Sequence, residues 1–134
     1  MSLDREYGNI GYVLGRLFAV LERIQEQAQG RGLNKTIRDT YFGAAASSPL
    51  VTFKRLQDLA IHHLAKIRNG GKNTTWLERL QQEVVGLIPP QGIPSILGLE
   101  DQGRFAIGYY HQRQDFFTKK DTGEVETTTE GEDA

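Results

Sequence analysis

Residues 99–114, LEDQGRFAIGYYHQRQ, carry the densest set of groups able to do chemistry. Two carboxylates, two glycines, two arginines, a tyrosine pair, a histidine and several glutamines share sixteen positions. A helix built only for burial would repeat Leu, Ala and Glu. Groups that stack or donate hydrogen bonds point instead to binding. Catalysis fits poorly. Glu100 and Asp101 are adjacent, so on a helix they diverge by about 100° and cannot act as a pair on one face. They read as first-turn acids that favour the helix dipole, and Glu100 is also spaced for an i, i+4 pair with Arg104. Arg, Gln and Tyr suit both phosphate hydrogen bonding and protein contact. Arg104, Gly108, Tyr109, Tyr110, His111, Gln112 and Arg113 therefore form a candidate interface or binding set. Tyr109 and Tyr110 could stack on exposed bases. Alternatively, one ring packs in the core and the other covers its edge. Gly103 and Gly108 need a reason, since glycine inside a helix costs roughly 1 kcal/mol against alanine. Close approach by another helix or by a ligand supplies one.

No other constellation reads as an active site. His62 and His63 are neighbours rather than the i, i+4 pair of a helical metal site. His63 falls near an apolar face and reads as a hydrogen-bonded core histidine. His62 shares a stripe with Arg55, Asp58 and Lys66 and faces solvent or a ligand. Gly30-Arg31-Gly32 and Gly70-Gly71 lack the spacing and the Lys-Ser/Thr of a phosphate loop. There is no cysteine, hence no disulfide, thiolate zinc site or cysteine nucleophile. No catalytic residue, metal or cofactor is expected.

Charge carries the second signal. All 16 Lys and Arg lie in residues 1–120, with only 11 of the 17 acids, an excess of five positive charges. Residues 121–134 hold the other six acids and no base. A basic body attracts polyanions, and an acidic tail stays solvated or competes with them. Phosphate binding needs bases gathered on one surface. Arg31, Lys35 and Arg38, spaced four and three, form one stripe if their helix starts early. Lys54, Arg55, Lys66, Arg68 and Lys72 cluster on a later helix and the loop after it. Arg16 and Arg23, seven apart, share the outward face of the first helix.

The elements that position these groups are helices. Ile10, Val13, Leu14, Leu17, Leu21 and Ile24 follow helical periodicity, and Gly30 and Gly32 end that helix. Asn34 caps a second helix over about residues 35–46. Ser48-Pro49 opens a third, to about residue 68, with Phe53, Leu56, Ala60, Leu64 and Ile67 on one face. Thr75-Trp76-Leu77-Glu78 fits a capping box, opening a fourth to about residue 88. After Pro89, Pro90, Gly92 and Pro94 a fifth covers about residues 99–117. The expected fold is all-α: a compact bundle of about five helices over residues 1–120, with a disordered acidic tail over residues 121–134. No apolar run reaches the roughly 18 residues of a membrane span, and no signal peptide is visible, so a soluble cytoplasmic protein is expected.

Residues 12–25 (YVLGRLFAVLERIQ), 34–53 (NKTIRDTYFGAAASSPLVTF), 62–67 (HHLAKI) and 99–114 resemble the C-terminal region of the large subunit of type I-C CRISPR surveillance complexes (Cascade). The chain is far shorter than that subunit. It resembles the separate small subunit that the family makes by internal translation initiation within the large-subunit gene; a domain excised from the large subunit would read the same way. The resemblance implies a non-catalytic helical subunit in antiviral defence. Its partners would be the backbone subunits, the large subunit and a second copy of itself. It would stabilise target DNA and the displaced strand of the R-loop by sequence-independent contacts and meet guide RNA only indirectly, since guide pairing reads the sequence. Two other readings stand beside it: a structural adaptor without nucleic-acid contact, and a helix-turn-helix DNA-binding regulator.

Overall fold

The computed structural model describes residues 3–30 and 35–121, and among them the regular structure is entirely helical. Five helices follow in order: α1 (Ile10–Gln29), α2 (Ile37–Ser47), α3 (Pro49–Asn69), α4 (Thr75–Val85) and α5 (Leu99–Asp121). The expected all-α bundle is thus what the chain forms. The tail expected to be disordered lies outside the described residues beyond Asp121, as does Asn34.

α1 is the hub and packs against each of the other four helices. Every residue from Gly11 to Glu22 is buried. This overturns the outward face assigned to Arg16 and Arg23. Arg16 is 0% exposed and Arg23 is half-buried, because a helix enclosed on all sides has no solvent stripe. Phe18 sits at the centre, with its ring edge-on to Phe42 of α2, Phe53 of α3, and Phe105 and Tyr109 of α5, at centroid distances of 5.5–6.4 Å. Such edge-to-face pairs add to the burial of the rings themselves.

α1 and α5 run parallel, since their partners rise together in number. An ideal Cβ on Gly11 would lie 2.3 Å from the Asp101 carbonyl oxygen, and one on Gly15 would lie 2.0 Å from that of Phe105. One on Gly108 would lie 2.2 Å from the Tyr12 carbonyl oxygen. These backbones touch, and each carbonyl faces a glycine Cα–H where any other residue would place a methyl. Gly108 is therefore explained within the molecule: the surface that approaches it is α1. Gly103 differs, with nothing within 4 Å of its Cβ position.

The helix ends correct several local expectations. The capping box belongs to α2: Thr36 accepts from the Arg38 amide (3.1 Å) and Asp39 accepts from the Thr36 amide (2.8 Å). α2 therefore begins at Ile37, after Lys35. α4 starts at Thr75 itself with Thr74 as N-cap, and the Thr74 hydroxyl is turned to donate to Glu78 (2.5 Å). Ser48 precedes Pro49 as foreseen but makes no side-chain cap. α4 stops at Val85, and Leu87 and Ile88 pack against the core from a turn. The loop after it is stitched to the α2–α3 junction, with the Leu50 amide donating to Pro94 and the Leu97 amide to Ser47, each 3.1 Å.

The glycines give an opposed pair of outcomes. Gly15→Ala forces a methyl into a backbone carbonyl and should cost at least about 1–3 kcal/mol. Gly103→Ala meets nothing and should stabilise the helix by up to about 1 kcal/mol. Urea denaturation of the two variants checks both signs.

Candidate nucleic-acid interface

Tyr109, His111, Gln112 and Arg113 turn toward α1 and bond its side chains. Tyr109, 1% exposed, donates its hydroxyl to Glu22 at 2.5 Å. Arg113 reaches Glu22 at 2.7 Å and Glu26 at 3.3 Å, and lies over the Tyr109 and Phe117 rings. The other Glu22 oxygen accepts from the Thr36 hydroxyl at 2.5 Å. One buried carboxylate of α1 thus gathers α5 and the entrance to α2. Burial, then the bond to Glu22 and its charge, push the Tyr109 phenol well above its ordinary range. Burial alone would lower the Arg113 guanidinium, but Glu22, Tyr109 and Glu26 outweigh it, and its pKa is raised. Charge balance is local: the acid is met by its arginine inside the fold.

Gln112, 0% exposed, accepts from Arg16 Nε at 2.9 Å. Arg16 also donates to the Arg5 carbonyl (3.5 Å) and lies 4.0 Å from Glu83. Burial lowers its pKa, against the pull of Glu83. His111 Nδ1 lies 2.8 Å from the Tyr12 hydroxyl, which itself accepts from the Asp4 amide at 3.0 Å. The phenol thus joins the chain before α1 to the imidazole of α5. Arg104 pairs with Glu100 (3.1 Å) and Asp101 (3.3 Å) in the first turn, as its spacing predicts. Of the set read from this motif, Gly108, Tyr109 and Gln112 are core, and Arg104, His111 and Arg113 are bound to neighbours. Tyr110 alone is exposed, at 50%. The alternative of one core tyrosine and one at its edge is the arrangement found.

The bases divide differently. Lys35, Lys54, Arg55, Lys66 and Lys72 are all exposed and make no ion pair among the described residues. Arg68 is exposed but bound to Glu78 at 2.8 Å. Arg31 lies outside the described residues. The expected stripe of Arg31, Lys35 and Arg38 does not form on a helix, because α2 begins only at Ile37 and Lys35 precedes it. Arg38, exposed on α2, instead bonds the Tyr110 hydroxyl and sits 5.6–5.7 Å from the centres of the Phe42, Tyr109 and Tyr110 rings. On α3, Arg55, His62 and Lys66 follow i, i+7, i+11 along one outward edge, while Lys54 lies about 100° around the helix. Asp58 is exposed between them, with Val51 and Ile61 also on the outer side. His63 is half-buried, with no side-chain hydrogen bond among the described residues, so it is not the hydrogen-bonded core histidine expected. Burial, then His62 and Lys66, depress its pKa below 6.5, so it adds no charge to the basic edge near neutral pH.

Two groups escaped the reading of the sequence. Glu22 sits inside an apolar periodic run, where an acid signals a buried partner only once the partner is known. Arg79 is an exposed base on α4, opposite the buried Leu77 and Val84, and that period is visible in the sequence. No three His, Asp or Glu side chains converge as metal ligands among the described residues.

Two stability measurements test these assignments. Glu22→Ala leaves a buried phenol and a partly buried guanidinium without their acceptor and should cost about 3–5 kcal/mol, read from urea denaturation. The depressed His63 makes the unfolded chain the first to bind its proton, so folding stability should fall as pH drops below 6.5 and through the lowered folded pKa. His63→Gln should lose less stability than wild type between about pH 7.5 and about pH 5.

Comparison with curated proteins finds no match. The model of one family, described as CRISPR-associated protein (Cas_Csd1), matches residues 1–117. With its hub helix, its glycine seam and the exposed bases of α3 inside that span, the chain belongs to this family of CRISPR-associated proteins.

Proposed function

We propose that the chain is a non-catalytic small subunit of a type I-C CRISPR effector that holds nucleic acid by sequence-independent backbone contacts. The observation that carries this is the sorting of its cations. Arg16, Arg23, Arg68, Arg104 and Arg113 lie within 4.0 Å of carboxylates of the same chain. Lys35, Lys54, Arg55, Lys66 and Lys72 are exposed without such a partner among the described residues. Cations left free of internal acids are what neutralises phosphates and releases counterions. Family membership supports a role beside other CRISPR-associated components. The resemblance to the C-terminal region of the type I-C large subunit supplies the finer reading: internal translation, bridging of backbone and large subunits, a second copy as neighbour, and stabilisation of target DNA and displaced strand. Guide pairing would supply the sequence specificity. No helix among the described residues is long and apolar enough to cross a membrane, in keeping with action on nucleic acid in the cytoplasm.

A second reading, a structural adaptor, is favoured by Ile96, Leu99, Ile107 and Phe117, which are 73%, 85%, 48% and 41% exposed. Salt separates the two. Affinity of the full chain for duplex DNA should fall with log salt by about 0.9 per phosphate contact. Arg55→Glu with Lys66→Glu, which removes the aligned α3 edge, should lower that slope by roughly two contacts and weaken two unrelated sequences equally. An unchanged slope removes α3 from the interface. A loss on one sequence only favours the helix-turn-helix regulator.

A further inference from the structure

We infer that Tyr110 and Arg38 form a stacking site for an unpaired nucleobase, built on α5 and α2 and separate from the phosphate-binding edge of α3. The inference rests on the proposed nucleic-acid role and deepens it: beyond backbone contacts, the chain would hold a base.

Tyr110 is the one aromatic of residues 99–114 that the fold leaves out. Its ring is half exposed, yet it is held at two points. The ring packs against buried Tyr109, with centroids 5.0 Å apart and planes at 78°. The hydroxyl takes a hydrogen bond from the Arg38 guanidinium. The guanidinium carbon lies 5.6 Å from the ring centre while its nitrogen bonds the phenol oxygen, so it fixes the ring, half of whose surface stays exposed. The ring is therefore ordered before any ligand arrives, which removes part of the entropy cost of binding. Beside it, Ala106, Ile107 and His111 complete a shallow depression on the outer side of α5. His111 is itself anchored to Tyr12.

Arg38 gives this platform its charge. Its neighbours are the Phe42, Tyr109 and Tyr110 rings, and it has no carboxylate partner among the described residues. Asp39, the next residue, accepts from the Thr36 amide instead. A half-exposed aromatic ring beside a guanidinium that no carboxylate neutralises matches a base with its adjoining phosphate. A purely apolar protein segment would leave that cation unmatched. A duplex presents no base face, so the occupant is a single strand.

The test compares three probes with the full chain by fluorescence anisotropy: an oligothymidine, an abasic deoxyribose-phosphate oligomer of equal length, and a duplex. Wild type should prefer oligothymidine over the abasic oligomer by about 5- to 100-fold. Tyr110→Leu, which keeps apolar bulk without a π face, should abolish that preference and leave abasic and duplex binding unchanged. Tyr110→Phe keeps the ring and should retain most of it. Equal binding of thymidine and abasic strands by wild type overturns the stacking site. So does a preference that survives in Tyr110→Leu, or an equal loss on all three probes. If stacking fails but Arg55→Glu with Lys66→Glu still weakens every probe, the phosphate-binding reading stands alone. If wild type binds none of the probes, both readings fall.

Discussion

Backbone contact between α1 and α5 is the constraint on which the rest of this structure depends. Three glycines, Gly11 and Gly15 on one helix and Gly108 on the other, each face a carbonyl oxygen of the partner where a Cβ would have no room. Helices pressed together this closely run in fixed register, and the register decides which side chains meet. Arg16 meets Gln112, Glu22 meets Tyr109 and Arg113, and Asn9 donates to Asp101 at 3.2 Å. Between these two parallel helices the chain passes through α2, α3 and α4, each of which packs against α1. α1 becomes the enclosed hub as a consequence.

An enclosed helix that carries Arg16 and Glu22 must satisfy both inside the fold, since unpaired buried charge is far costlier than an exposed one. The polar groups of α5 do this fully for Glu22 and in part for Arg16, whose Nε donates to Gln112 while its Nη2 has no hydrogen-bond partner among the described residues. The Glu22 carboxylate receives a phenol, a guanidinium and a threonine hydroxyl, and the threonine is the residue that caps α2. Geometry at the seam therefore reaches the start of the second helix, and with it Arg38. Residues that look like a ligand-binding cluster in one dimension are in large part the internal wiring of a helix pair.

Function is left to the groups that this wiring does not use. Cations consumed by internal acids cannot attract phosphates, whereas the exposed bases along α3 and around it remain available. The family is one of CRISPR-associated proteins, and the proposed contact with a polyanion rests on the unpaired cations along the outer edge of α3. Tyr110 and Arg38 stand between the two categories: anchored by the core, open to solvent.

Sequence alone determined the helical class, the order of five helices and most of their faces, because hydrophobic period and glycine or proline punctuation are local properties. The punctuation at Gly30, Pro49 and Gly70 needs no tertiary partner to act. The Glu100–Arg104 pair was legible for the same reason, being four residues apart on one helix. Capping was less so: Thr36 with Asp39 and Thr75 with Glu78 carry similar signatures, and competing bonds to Arg68 and Thr74 decided the second. What Arg16, Glu22, Gly108 and Gln112 do could not be read from the chain, because each is defined by a residue some 90 positions away. A period shows one buried face, but only the packing of four helices around α1 showed that it has no other.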